Sequence, residues 1–499
     1  MASAADPLIP FAGEVQHALR AFADEAFSRA AGAPLIPGNR IRLLRDAQEN
    51  YAAWMDAIRG AQRTIYFESY IIHSDDIGRQ FADLLALKAR EGVRVRLIYD
   101  WMGALGHTGW GFWRPLRRAG VEVRCFNPPR FDSAFGWLSR DHRKSIVVDG
   151  RIAFVTGLCV GRRWAGYPKR GIAPWRDTGV EIEGPAVRDV ARAFAAIWAD
   201  CGASLPESEL AGHAAAPAPG AVSLRIIPTR PGTSAIYRLD QLIAALARES
   251  IWLTDAYFVG TTSYVQALRA AASDGVDVRL LLPRAGDVPV VRAISRAGYR
   301  TLLEAGVRIF EWNGPMLHAK TAVVDGRWAR VGSTNLNLAS WLGNWELDVV
   351  VEDDGFADQM QAMYLDDLNR STEIVLTRKR RPRPVTPRRL RPKPRGGAQG
   401  SANWAAKGVL RIGNFVGASI TNRRVLGPAE SSLMLMSGVA LAALVTITLL
   451  LPRVVAGVLA LVGAWIAVTL LVNAWRIRHR RKQYPKEARE APRVSSRAP

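Results

Sequence analysis

The pattern of apolar positions divides the chain into a repeating body and an apolar tail. In the body, residues 64–72 (TIYFESYII) and 250–258 (SIWLTDAYF) are short runs of β-branched and aromatic residues, which predict two strands. Each is followed by a stretch with helical spacing, 77–91 and 262–274. Next come 92–100 (GVRVRLIYD) and 275–283 (GVDVRLLLP), where alternation gives way to continuous apolar residues, again strands. AGVEV at 119–123 and AGVRI at 305–309 close the series, each after a short basic helix. Strands alternating with helices imply βαβ units and a largely parallel sheet. The doubled series implies two α/β halves related by a pseudo-twofold axis. A stretch rich in Ala, Gly and Pro at 206–220 joins them.

The tail contains two uncharged apolar runs, 433–451 and 454–475, each long enough to cross a hydrocarbon core as a helix. Pro452 and Arg453 separate them, which predicts a C-terminal transmembrane helical hairpin. Arg423 and Arg424 precede it and Arg476, Arg478, Arg480, Arg481 and Lys482 follow. Basic residues on both outer flanks place both ends in the cytoplasm. The expected organisation is therefore an N-terminal helical segment (1–40), a first half (41–205), a second half (221–377), a basic linker (378–410), the hairpin region (411–482) and a basic tail (483–499). The linker opens RKRRPRPVTPRRLRPKPR, which is expected to be extended and disordered.

Charge sharpens this division. The 499 residues carry a net charge of +22, a value that suggests nucleic-acid binding until it is located. Residues 378–499 hold 24 basic and 3 acidic side chains, leaving 43 and 42 in the body. A nearly neutral body argues against a nuclease tracking a phosphate backbone. A basic tail beside membrane segments suits an anionic bilayer. Cys125, Cys159 and Cys201 are odd in number and in no metal-ligand spacing, as expected of reduced thiols in the cytosol. The first 20 residues contain Asp6 and Glu14 and no apolar core of a signal peptide.

Each half then reaches the same motif, H-x-K-x4-D: His142, Lys144 and Asp149, then His318, Lys320 and Asp325. By composition a given histidine meets this pattern roughly once in a thousand. Histidine and lysine two apart on a strand share a face. Asp149-Gly150 and Asp325-Gly326 are hairpin turn pairs. With those pairs as turn centres, Val148 pairs with Arg151 and Val324 with Arg327, which sets His142 opposite Gly157 and His318 opposite Ser333. The sequence Gly332-Ser333-Thr334-Asn335 could then donate hydrogen bonds to a phosphate oxygen near the histidine. The motif aspartates fall out of step with that face and read as hairpin residues. A histidine working on phosphate needs a partner on its other ring nitrogen. Asp177 and Glu346, each opening an expected strand, are placed for this.

Duplicated H-x-K-x4-D followed by G-S-x-N resembles the phospholipase D superfamily over residues 41–374. Within it the layout is similar to bacterial cardiolipin synthases, supported by Trp175-Arg176-Asp177-Thr178, Ile182-Glu183-Gly184-Pro185 and Phe126-Asn127-Pro128. The resemblance implies one active site between the halves, built by His142, Lys144, Asp149, Asp177, His318, Lys320, Asp325, Ser333, Asn335 and Glu346. It implies that one histidine attacks phosphorus to form a phosphohistidine while the other handles protons, with no cofactor and no metal. It further implies anionic phospholipid partners, phosphatidylglycerol being the acceptor and the expected donor, at the cytoplasmic face of a bacterial inner membrane, with no nucleic acid. Transfer and hydrolysis share the covalent step and stay alternatives; a silent membrane scaffold is disfavoured by two intact motifs. Cys159 stands where the first half should repeat Asn335, removing an amide donor. Finally, about ten extra residues precede His142 compared with His318. That segment carries Phe126, Phe131, Phe135 and Trp137 among Arg130 and Arg140, as expected of a loop guiding lipid to the site.

Overall fold

The structure, a computed structural model, describes residues 24–129, 139–211, 218–376, 382–385, 442 and 445–483. The chain falls into two units, Met1–Asn127 with Ser139–Leu433, and Pro128–Leu138 with Met434–Pro499. In the larger unit one mixed sheet of 16 strands runs in the order β16-β15-β11-β10-β9-β12-β13-β14-β8-β1-β7-β6-β5-β2-β3-β4. The first half supplies β1 (Ile36–Arg45), β2 (Thr64–Ser69), β3 (Arg94–Asp100), β4 (Glu122–Phe126), β5 (Lys144–Val148), β6 (Ile152–Thr156) and β7 (Thr178–Glu183). The second supplies β8 (Val222–Thr229), β9 (Ser250–Thr254), β10 (Asp277–Pro283), β11 (Arg308–Trp312), β12 (Thr321–Val324), β13 (Trp328–Gly332), β14 (Glu346–Glu352), β15 (Ser371–Leu376) and β16 (Pro382–Val385). Reading outward from the β1–β8 seam, β1 to β7 and β8 to β14 recur in the same spatial order, which is the pseudo-twofold expected from the repeat.

The expectation of a largely parallel sheet is corrected. Parallel pairing is confined to β2–β3–β4 and β9–β10–β11, and every other ladder is antiparallel. Helical crossovers return the chain to an adjacent strand only within those triplets. β5 and β12 start at the end of the sheet where β4 and β11 finish, and so run antiparallel to β2 and β9. The Asp-Gly hairpins then propagate antiparallel order to the seam.

Those hairpins also shift the expected register by one residue. Asp149 (φ 54°) and Gly150 (φ 65°) both occupy the left-handed region, as do Asp325 (51°) and Gly326 (63°). Arg151 N–H donates to Val148 O at 3.0 Å, and Arg327 N–H to Val324 O at 3.1 Å, so the two-residue turns exist. The ladders nevertheless resume as Val148↔Ile152 and Val324↔Trp328, with the arginines as the extra residue of a bulge. Carried further, this register sets His142 level with Leu158 and His318 with Thr334, in place of Gly157 and Ser333.

Helices cover both faces. Asp46–Gly60 and Asp76–Arg90 pack over the first half, burying Trp54, Ile58, Phe81 and Leu85 against β2, β3 and β5. Ala235–Leu246 and Thr262–Ser273 do the same for the second half. On the opposite face, Val187–Asp200 and Asp354–Asn369 share a single core with strands of both halves, including Val155, Val180, Ile226, Val331 and Val349. This common core fixes the halves as one body.

In the smaller unit, Pro452–Gln483 is a 32-residue helix containing the second apolar run. Among the described residues no helix is long and apolar enough to cross a membrane. The first apolar run, the linker and the basic tail lie mostly or wholly outside the described residues, as do residues 1–23, so the hairpin rests on the sequence.

Candidate active site

Both motifs emerge at the same end of the sheet, where the parallel triplets terminate. His142 lies two residues before the first residue of β5, Lys144, which pairs with Ser69 at the end of β2. His318 and Lys320 precede β12, whose Thr321 pairs with Thr254 at the end of β9. Two short parallel bridges then stitch the halves together, Asp141↔Trp345 and Arg176↔Leu317. His142 N–H donates to Trp345 O at 2.9 Å, and His318 N–H to Arg176 O at 2.7 Å. The next residues after these acceptors are Glu346 and Asp177. Each histidine is therefore set beside the acid of the other half by backbone pairing.

The side chains complete a reciprocal exchange. His142 Nδ1 lies 2.9 Å from Glu346 Oε2 and 3.1 Å from Oε1. His318 Nδ1 lies 2.6 Å from Asp177 Oδ2. A carboxylate only accepts, so Nδ1 carries the proton in both rings and Nε2 is left with its lone pair. Each acid is held in turn. Asp177 Oδ1 accepts from Thr178 N–H at 2.9 Å. Glu346 accepts from Ser333 Oγ at 2.5 Å and from Asn344 Nδ2 at 3.3 Å. Ser333 was expected to face phosphate; here its hydroxyl is engaged by Glu346 and by Leu347 N–H. Thr334 likewise turns to Asp348. Asn335 is the residue of that segment left available: it is buried, and its Oδ1 has no partner among the described residues.

Lys144 and Lys320 each donate to the carbonyl of the histidine two residues before, and Lys320 Nζ also stands 3.1 Å from His318 Nδ1. Both lysines act electrostatically on both histidines, as a single centre requires. Burial pulls His142 down to about 4, against the attraction of Glu346. Burial, then Lys320, lowers His318 as well. Burial also brings Lys320 to about 8. Burial pushes both acids up, but the histidines and lysines outweigh it and hold Asp177 and Glu346 below the usual carboxylate range. The resting state is thus two neutral imidazoles, two carboxylates and lysines able to attract a phosphodiester anion.

Asp149 and Asp325 stand apart from this centre. Asp149 accepts from the N–H groups of Gln62, Arg63 and Thr64 at 2.7–2.9 Å. Asp325 accepts from Arg248, Glu249 and Ser250. They tie the hairpin tips to the starts of β2 and β9, as their turn position suggested, and contribute no group to the histidines. Gly157 sits against Asp177: a Cβ there would lie 2.2 Å from Asp177 Oδ1. Cys159 is buried in the first half's core, where burial raises its thiol, and its carbonyl accepts from Tyr51. Such a thiol is no nucleophile.

Several neighbours of the histidines had no role assigned from the sequence. Arg143, the variable residue of the first motif, is fully buried and crosses to Glu346 O at 3.0 Å and Thr229 O at 3.2 Å in the second half. Arg176 bonds Asp367 at 2.8 Å and Asp46 at 3.0 Å, bracing the strand end that carries Asp177. Tyr70 lies edge-on to His142 and Tyr257 to His318. Trp164 and Trp175 flank His318. Arg143 lay between two motif residues, and Trp175 and Arg176 stood beside Asp177, but nothing in the motif assigned them these contacts. Phe131, Phe135 and Trp137 of the expected lipid-guiding loop lie outside the described residues.

The chain is similar to known proteins in sequence and in fold. Residues 54–198 and 240–368 match the family described as cardiolipin synthase, PLD-like domain. The chain is 35% identical over 353 residues to cardiolipin synthase A of Pseudomonas fluorescens, covering 68% of this chain and 71% of that one. It is 32% identical over 345 residues to cardiolipin synthase of Alkalihalophilus pseudofirmus, covering 68% of each. In fold it resembles the crystal structure of phosphatidylserine synthase from Haemophilus influenzae, with a TM-score of 0.57 at 14% identity, covering 70% of this chain and 91% of that one. The chain belongs to the cardiolipin synthase family of the phospholipase D superfamily. It is a phosphatidyltransferase of that superfamily.

Proposed function

We propose that the chain joins two phosphatidylglycerol molecules into cardiolipin and glycerol through a phosphohistidine. The observation that supports this most is the reciprocal pairing of His142 with Glu346 and His318 with Asp177, which leaves two oriented Nε2 atoms in one centre beside two lysines. In the first step His142 Nε2 attacks the donor phosphorus, and the P–O bond to the head-group glycerol breaks. His318, which takes a proton at Nε2 from solvent before the first turnover and keeps the acceptor's proton after each later one, gives that proton to the leaving glycerol oxygen. In the second step His318 takes a proton from the hydroxyl of the acceptor phosphatidylglycerol, whose oxygen displaces His142 from phosphorus. Lys144, Lys320 and Asn335 hold the phosphoryl oxygens as charge shifts onto them. The apolar runs of the tail anchor the chain in the cytoplasmic membrane, with the body and both ends in the cytoplasm.

The test is the purified full chain in vesicles containing phosphatidylglycerol, with products resolved by mass spectrometry. Cardiolipin and free glycerol are expected in equal amounts. Phosphatidate in their place would make the chain a hydrolase. Quenching in denaturing detergent at neutral pH, with a donor labelled in the phosphatidyl group, should leave label on His318→Ala protein and none on His142→Ala; the reverse pattern exchanges the two roles.

A further inference from the structure

The exposed apolar side chains of the larger unit are not scattered. Apart from Leu87, every large one exposed among the described residues sits on a loop or helix start at the catalytic end of the sheet. In the first half these are Leu105 and Trp110 after β3 and Ile172 between β6 and β7, with Trp110 73% exposed. In the second half they are Val288, Val290 and Ile294 after β10, and Leu338 and Leu342 between β13 and β14. The loops concerned are equivalents under the pseudo-twofold, so both halves place apolar residues around the same opening. Leu87 lies near the other end of its helix, Asp76–Arg90, which starts from the catalytic end.

Charge follows the same distribution. The segments 101–114, 157–175, 284–294 and 333–344 contain exposed Arg114, Arg163, Lys169, Arg170, Arg284 and Arg292, and a single acid, Asp287. This excess stands on a body whose charge is otherwise nearly balanced. Val288 also lines a small pocket with Tyr257, Phe258 and Tyr299, so the rim shares a wall with the ring edge-on to His318.

We infer that this rim is a bilayer-docking surface: Trp110, Val290, Ile294, Leu338 and Leu342 enter the acyl boundary while the surrounding arginines and Lys169 meet anionic head groups. Apolar residues ringed by cations are the composition of an interfacial membrane contact. A rim at the mouth of the site lets a lipid reach the histidines with its chains still leaving the bilayer. The inference rests on the proposed phospholipid substrate. It adds that the body, and not the tail alone, touches the membrane.

The test uses the full chain with Cys125→Ser and Cys201→Ser, leaving buried Cys159, and one added cysteine, Val290→Cys, Leu338→Cys or Leu87→Cys, carrying a polarity-sensitive fluorophore. With vesicles containing phosphatidylglycerol, the probes at 290 and 338 should shift to shorter wavelength and the probe at 87 should not. Vesicles of phosphatidylcholine alone should give a smaller shift. A variant with serine at 290, 294, 338 and 342 should lose about tenfold or more in turnover of vesicle lipid but keep its rate on a short-chain monomeric lipid. Probes at 290 and 338 that stay as water-exposed as the probe at 87 while lipid turns over would overturn the docking surface and leave the transferase reading intact. Shifted probes without any lipid product would do the opposite.

Discussion

With Nδ1 of His142 bonded to Glu346 and Nδ1 of His318 to Asp177, removal of either carboxylate releases both the tautomer and the ring angle. Glu346→Gln and Asp177→Asn should each lower kcat by roughly 10²–10⁴-fold with little change in KM, in line with the value of positioned proton transfer. Steady-state rates on vesicle lipid check this, and wild-type turnover in either variant would remove the orienting role. The low value of His142 gives a second expectation. In the unfolded chain a histidine takes up its proton near 6.5, whereas His142 does so at about 4. Between those values the unfolded state binds more protons, so stability falls as pH drops from about 6.5 to about 4, by at most roughly 3 kcal/mol from this group. Thermal midpoints across that window should slope less in His142→Gln. The acid limb of kcat/KM should lie near 4 and not near 6.5. At this scale the sequence was legible where chemistry demands rare residues: the histidines, the lysines, Asp177 and Glu346. It could not reveal which acid serves which histidine, because the two motifs are locally alike. Ser333 was misread because the hairpin bulge moves the ladder by one residue, and a one-residue slip turns a side chain to the other face.

Among the elements, the repeated strands and helices stood out because buried β2 and its equivalent are dense in branched and aromatic residues. The seam strands did not. β1 is interrupted by Pro37, Gly38 and Asn39, and half of it faces solvent, with Arg40 and Arg42 paired to Glu183 and Glu181 across the ladder. β8 carries Pro228, which by itself speaks against a central strand. Both persist because tertiary pairing and the common core outweigh local preference. The hairpins make a contrasting pair of expectations. Asp149→Ala removes the acceptor of three backbone N–H groups and should cost about 1–3 kcal/mol in urea unfolding, with kcat of the folded fraction nearly unchanged. Gly157→Ala pushes a methyl into Asp177 and should cost a similar 1–3 kcal/mol, but it should also suppress turnover at least as far as Asp177→Asn. If Gly157→Ala lost stability alone, Asp177 would not be the residue it displaces.

For the whole molecule, the shared core and the buried crossings of Arg143 and Arg176 mean that neither half reaches its native state independently. Calorimetry of the body should give one unfolding transition, and two well-separated ones would contradict a common core. The repeat foretold this body's symmetry, yet not the exchange of acids that makes it indivisible, since exchange is a property of the assembled pair. The β1–β8 seam has a consequence for synthesis. Only Ile36↔Leu224 and Asn39↔Val222 are in register there, with an irregularity between them. The first half leaves the ribosome well before β8 exists, so the outer edge of β1 waits unpaired. An open strand edge pairs with whatever strand is offered. The nearest alternative is β1 of another growing chain, and two chains joined that way would each have to part before a working site could close. The sparse seam keeps that parting cheap, so crowded translation, more than any later stress, is the stage at which this protein is most exposed to misassembly.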